Sequence, residues 1–161
     1  MKMKRQNLHF GFLNVGHLLD HLFMLIFATV AALALATDWH MSYANLIPYA
    51  MPGFVAFGIC AIPAGWIADK WHRHGMICIF FIGIGIASTA TSFANSPLQI
   101  GCGLFVIGLF GAIYHPVGIA MVVQGRVKTG MPLALNGVFG NIGVAAAALI
   151  TGIIIDTFGW R

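Results

Sequence analysis

Four side chains capable of chemistry sit where polar groups are costly. Asn14, His17, Asp20 and His21 are spaced by three and four residues inside an apolar run from Phe10 to Ala36, so they share one face of a helix. A carboxylate among imidazoles can share and pass protons near neutral pH, which is what a proton-linked carrier requires. Asp20 lies about ten residues into the run, roughly 15 Å deep at 1.5 Å per residue, near the middle of a bilayer. A charge there costs about 2.5–3.5 kcal/mol on insertion scales, which makes an intramembrane carboxylate a functional candidate. The pair His115-Pro116 forms a second pole. His115 is roughly 12 Å and His17 roughly 10 Å from the same end of their runs, so the two imidazoles are expected at one depth. Pro116 frees a carbonyl in the preceding turn, a defect that belongs at a cavity wall. Asn136 and Asn141 in the last apolar run complete the expected substrate and proton pathway.

Other chemistries fit these residues less well. His17, His21 and His115 are of the type that holds haem or a metal ion, but two of them share a helix face and the spacing is not diagnostic. No metal or cofactor is therefore assigned. A single histidine in an apolar helix is equally well explained by a bond to a neighbouring carbonyl. There is no nucleophile and base arrangement to name, so no enzyme is read here.

The elements that must position these groups are long apolar runs. Sixty per cent of the 161 residues are hydrophobic and 7% are charged, against roughly one quarter charged in a soluble domain. Five runs, at residues 10–36, 44–66, 75–93, 97–123 and 131–155, each exceed or approach the roughly 20 residues that cross a bilayer as a helix. The expectation is an all-α integral membrane protein forming one transmembrane domain over residues 1–161. A secretory signal is the poorer reading of the N-terminus, because the first run is long and carries His17, Asp20 and His21. Pro52 and Pro63 are expected to kink the second helix. Gly137, Gly140 and Gly143, spaced by three, allow close helix approach. Cys60, Cys78 and Cys102 sit singly in three different runs and read as small buried packing residues rather than a disulfide or zinc framework.

The formal charge of +4 is not a nucleic-acid footprint, because the basic residues sort by membrane side. Lys2, Lys4, Arg5, Lys70, Arg73, Arg126 and Lys128 all fall on alternate connections, while residues 37–41 and 94–96 hold no lysine or arginine. The positive-inside rule puts the N-terminus in the cytoplasm and, after five helices, the far end outside. The basic island Gly65 to His74 reads as a tight turn between helices two and three, with Asp69 placed to accept from free amides at the start of helix three.

That island also carries a resemblance. Gly65, Asp69, Lys70 and Arg73 fall in register with the Gly-x-x-x-Asp-(Arg/Lys)-x-Gly-Arg-(Arg/Lys) loop between the second and third helices of major facilitator superfamily transporters; His72 and His74 depart from it. Helix one reads G-H-L-L-D-H-L-F-M-L-I-F, helix four carries G-A-I-Y-H-P-V-G and helix five N-G-V-F-G-N-I-G. Together these resemble the fosmidomycin-resistance-like branch, over about the first five of its usual twelve helices. The resemblance implies a partial N-terminal half of the fold, with Gly65, Asp69, Lys70 and Arg73 as a gating loop whose aspartate holds the inward side closed against the second half. Val117 and Ala120 stand where that branch carries an acid and an arginine, and Ala147-Ala148 where drug antiporters carry Gly-Pro, so drug antiport is not implied. Some proteins of this kind are magnetosome-membrane carriers associated with iron; no residue here singles out iron.

The function expected is thus the N-terminal part of a proton-linked secondary carrier of a small molecule or ion, working with a second transporter half or a further copy. Its place is a bacterial cytoplasmic membrane or a specialised internal one. The rival expectation is a non-transporting binding or assembly module derived from a truncated carrier half.

Overall fold

A computed structural model describes the backbone of residues 2–161 and the side chains of residues 6–161. The side chains of Lys2, Lys4 and Arg5, used above for orientation, lie outside the described residues. Five helices are long and apolar enough to cross a membrane: α1 (Gln6–Asp38), α2 (Tyr43–Lys70), α3 (Arg73–Ser92), α4 (Pro97–Val123) and α5 (Gly130–Phe158). Among the described residues there is no strand, as expected of an all-α integral membrane protein. A chain in lipid must satisfy its backbone internally, and helices do so without partners.

The helices are not uniform. One turn of α1, Ala31–Leu35, is π-helical. In α2 the departure from α geometry falls at Pro48, inside the 3-10 turn Ile47–Ala50; Pro52 follows in the first turn of the next segment, and the helix stays continuous through Pro63. In α4 the helix stops at Gly111 and resumes at Tyr114. Pro116 has no N–H to offer the carbonyl of Ala112 four residues earlier, so the break lies where the proline frees the backbone.

Packing follows the small residues. α1 lies chiefly against α5, and α2 and α3 lie against α4. A Cβ at Gly143 would run into the Leu18 carbonyl, and one at Gly108 into the backbone of Gly53. Without those side chains the backbones reach van der Waals contact, which is the main attraction between helices in lipid. The core between them contains Leu13, Phe80, Ile84, Tyr114, Val117 and Val122.

The basic island differs from its reading as a turn. Gly65, Asp69 and Lys70 belong to α2, and only Trp71 and His72 separate it from α3. Asp69 does not cap α3: the cap is His72, whose Nδ1 accepts from the Gly75 amide at 3.1 Å. Asp69 instead accepts from Arg73 Nη2 at 2.7 Å and Nε at 3.2 Å, an exposed pair. The pair thus bridges the last turn of α2 and the first residue of α3 across the two-residue connection. The cysteines are not buried as expected; Cys78 and Cys102 are exposed and Cys60 is half-buried, all three as free thiols. Beyond α5, Trp160 Nε1 donates to Asp38 at 2.9 Å and Arg161 donates to the carbonyls of Ser92 and Ala94 at 3.0 and 3.1 Å. The end of the described chain is thereby tied across both turns on that side.

Two alanine substitutions on one helix test the α1–α5 contact. A Cβ at Gly137 meets nothing within 4 Å, so Gly137→Ala should be neutral or stabilise by up to about 1 kcal/mol through helix propensity. Gly143→Ala forces the helices apart and should cost roughly 1–3 kcal/mol. Thermal unfolding of both variants in detergent micelles measures the difference.

Candidate functional site

The buried faces of α1, α4 and α5 enclose a polar cluster. On α5 the side turned inward is Asn136, Gly140, Gly143, Ala147 and Thr151. At Gly140 the missing Cβ leaves room for the His17 imidazole, whose Nε2 would lie 2.7 Å from it. On α1, Asn14, His17 and Asp20 are buried, and on α4 the resumption after the break delivers Tyr114 and His115.

One part of the cluster is joined by hydrogen bonds. His17 Nδ1 donates to the Asn136 carbonyl at 2.8 Å. Asn136 Nδ2 donates to Asn14 Oδ1 and to the Tyr114 hydroxyl, both at 3.0 Å, and Tyr114 donates to the Leu13 carbonyl at 2.6 Å. The Tyr114 ring stacks on His17 with centroids 5.0 Å apart. These bonds join three helices, and in a medium without water each is costly to leave unmade.

The other part is not satisfied. Asp20 is 0% exposed, and neither of its oxygens receives a hydrogen bond among the described residues. Its nearest charge partner is His115 Nε2, 3.3 Å from Oδ2, and the His115 side chain is 33% exposed. The carboxylate rests against the α4 break, where a Cβ on Gly111 would stand 3.1 Å from Oδ1 and 3.2 Å from the Phe57 ring. His21 Nε2 lies 3.2 Å from His17 Nε2. Because His17 carries its proton on Nδ1, its Nε2 lone pair faces His21. The His115 ring is 5.2 Å from that of His17 and 5.4 Å from that of His21, edge-on to both.

Thus Asn14, His17, Asp20, His21, His115 and Asn136 come together. Asn141 does not: it is exposed, and five residues beyond Asn136 it is turned by about 140° around α5. Gly65, Asp69, Lys70 and Arg73 lie apart from the cluster at the α2–α3 end, although Gly65 packs on Pro116, 3.1 Å from where its Cβ would be. Tyr114 is the member that sequence reasoning missed. Its only signal was its place beside His115-Pro116, since an aromatic in an apolar run is ordinarily a packing residue.

The Major Facilitator Superfamily model matches residues 13–161. An uncharacterized MFS-type transporter of Bacillus subtilis, YfnC, is 32% identical over 115 residues, 66% of this chain and 28% of its own length. The niacin transporter NiaP of Acinetobacter baylyi is 25% identical over 130 residues, 79% of this chain and 29% of its own. A putative niacin/nicotinamide transporter NiaP of Bacillus subtilis is 28% identical over 153 residues, 94% of this chain and 38% of its own. The chain therefore spans well under half the length of these relatives. No solved structure matches it. With five helices long and apolar enough to cross a membrane and a family match over residues 13–161, the chain belongs to the major facilitator superfamily of membrane transporters.

Proposed function

We propose that the chain supplies the first five helices of a proton-linked secondary carrier, with a solute path along the inner faces of α1, α4 and α5. The observation that carries this is Asp20, fully buried, without a hydrogen-bond donor among the described residues, and 3.3 Å from a histidine on another helix. A buried carboxylate needs a counter-charge or a proton, and an imidazole is the side chain able to supply one near neutral pH. A pair on two helices flanking a helix break is placed so that proton uptake and helix movement affect one another. The pathway residues are Asn14, His17, Asp20, His21, His115 and Asn136, with Asn141 outside the bonded group. Helix one and the His-Pro pair of α4 support a place near the fosmidomycin-resistance-like branch. Relatives are named for niacin, gallate, tetracenomycin C and nitrite, so the features they share do not specify cargo.

The remaining helices come from a second transporter half or a further copy. The exposed Asp69–Arg73 pair, with Gly65 and Lys70, is the gating loop: Asp69 exchanges Arg73 for a partner in the other half when the inward side closes. Lys70, Arg73, Arg126 and Lys128 set the α2–α3 and α4–α5 ends in the cytoplasm of a bacterial inner membrane.

Vesicles containing the carrier, with whatever chain completes its helices, test the coupling. Under an imposed pH gradient, uptake across a panel including niacin, gallate, nitrite and divalent cations should fall to the level of empty vesicles in Asp20→Asn and His115→Ala. Undiminished uptake in both variants refutes the assignment. Orientation has a separate test in a background lacking Cys60, Cys78 and Cys102. Ser96→Cys should react with an impermeant thiol reagent in intact cells, and His72→Cys only after permeabilisation; the reverse pattern inverts the topology.

A further inference from the structure

We infer that His17, His21, His115 and Asp20 form a binding site for a divalent first-row transition-metal cation. The inference rests on the reading of this face as a solute path and names the class of that path's cargo. Three observations carry it.

The first is the convergence of donors. One nitrogen from each of His17, His21 and His115 lies within 4.8 Å of the other two. A tetrahedral centre with metal–nitrogen distances near 2.0–2.1 Å has ligand atoms roughly 3.3–3.4 Å apart. The His17 and His21 Nε2 atoms are 3.2 Å apart, and His115 Nε2 is 3.3 Å from Asp20 Oδ2. Two edges of such a polyhedron are already in place, and side-chain rotation of His115 closes the rest. The i, i+4 separation of His17 and His21 is the one by which a single helix presents two imidazoles to one ion.

The second observation is the tautomer of His17. Its Nδ1 proton is committed to the Asn136 carbonyl at 2.8 Å. A ligating histidine is characteristically held in this way, with the other nitrogen bonded to a carbonyl or carboxylate so that the lone pair is aimed and made more basic. The Nε2 lone pair points into the cluster, towards His21.

The third is the orphaned carboxylate. Asp20 is 0% exposed and neither oxygen receives a hydrogen bond among the described residues. A Cβ built on Gly111 would meet Asp20 Oδ1, the Phe57 ring and the Met24 sulfur at 3.1, 3.2 and 3.5 Å, and neither that ring nor that thioether can donate a hydrogen bond. A cation held by the three imidazoles supplies the missing positive charge. Three nitrogens and one carboxylate oxygen suit Zn2+, Co2+, Ni2+ or Fe2+ rather than Mg2+ or Ca2+, which take oxygen ligands. Half-buried His21 and His115 form the open side through which the ion enters.

Cobalt reports this site without requiring transport. The purified protein in detergent micelles, stripped with EDTA, is titrated with Co2+ and followed by visible absorption. One equivalent should bind with the intense ligand-field bands of four-coordinate Co2+, displaced by Zn2+. Asp20→Asn and a His21→Gln/His115→Gln pair should each weaken binding by at least about 10- to 100-fold, the range that loss of even a supporting partner produces. A second histidine group, where His9 near the start of α1 stacks on His74 at the start of α3 at 4.9 Å, supplies the control. His9→Gln/His74→Gln should keep both stoichiometry and spectrum. Size-exclusion behaviour and helicity establish that each variant folds. Absence of saturable binding, a six-coordinate spectrum, or a spectrum unchanged in the His21/His115 pair overturns the inference. Proton-driven uptake of an organic solute without Co2+ binding would overturn this site and leave the carrier standing. Co2+ binding without uptake of any solute would uphold the site and count against the carrier.

Discussion

His17 donates its Nδ1–H to the Asn136 carbonyl across the α1–α5 seam, and that bond determines that Nε2 is the nitrogen left facing His21. It requires close helices. Gly140 makes space for the imidazole and Gly143 lets the α5 backbone meet the Leu18 carbonyl. A side chain at either position would push α1 and α5 apart and take His17 away from its acceptor. The glycines, the asparagine and the histidine therefore act as one unit. The hydrogen bond contributes about 0.5–1.5 kcal/mol when made, and its groups cost more when buried unmade.

Around that seam the membrane imposes a simple economy on the backbone. Every carbonyl not bonded within its helix must be protected, so irregular turns are confined to places where protein covers them. The α4 interruption at residues 112–113 is such a place. It lies against α1 beside Asp20 and Phe57, and it allows Tyr114 to turn fully inward while His115 remains one-third exposed. Both residues lie in the segment that resumes after the break, so the helical offset of about 100° between them persists, and the break sets how that segment as a whole is turned relative to Pro97–Gly111. The proline that frees the Ala112 carbonyl thus also sets the position of the histidine immediately before it.

Much of this was legible from residue spacing. Helical rise alone brought His17 and His115 to one depth, and their rings are 5.2 Å apart. Spacings of three and four put Asn14, His17 and Asp20 on one buried face. The asparagines of α5 were harder to read, because two amides five residues apart look alike in sequence although the helix turns them to different sides. Tyr114 was hidden by composition: in a lipid-soluble chain an aromatic residue carries no mark of the hydrogen bonds its hydroxyl will make. The cap on α3 was hidden by chemistry, since Asp69 is a better capping residue than His72 by type. The structure assigns the cap otherwise because α2 runs on through Lys70 and keeps Asp69 inside its last turn.

The polar face of α1 divides into two halves that obey different rules. Asn14, Asn136, Tyr114 and the Nδ1 side of His17 form a closed network whose hydrogen-bonding groups meet one another, which is what a structural network in an apolar core looks like. Had Asp20 served the same purpose, a donor would be expected at hydrogen-bond distance. Instead it faces Gly111, Phe57 and Met24, with its nearest possible counter-charge on an imidazole that is open to the outside of the five-helix group. Such an arrangement is costly in a bare bundle while the carboxylate is ionised, and the cost is relieved by a proton on the carboxyl or by positive charge between Asp20 and the histidines. Selection for stability alone would replace the carboxylate with an amide or an apolar side chain, since a buried charge lacking its partners is among the most destabilising features a core can hold. Its presence beside three convergent imidazoles is therefore better explained by something that arrives and leaves than by the packing of the helices.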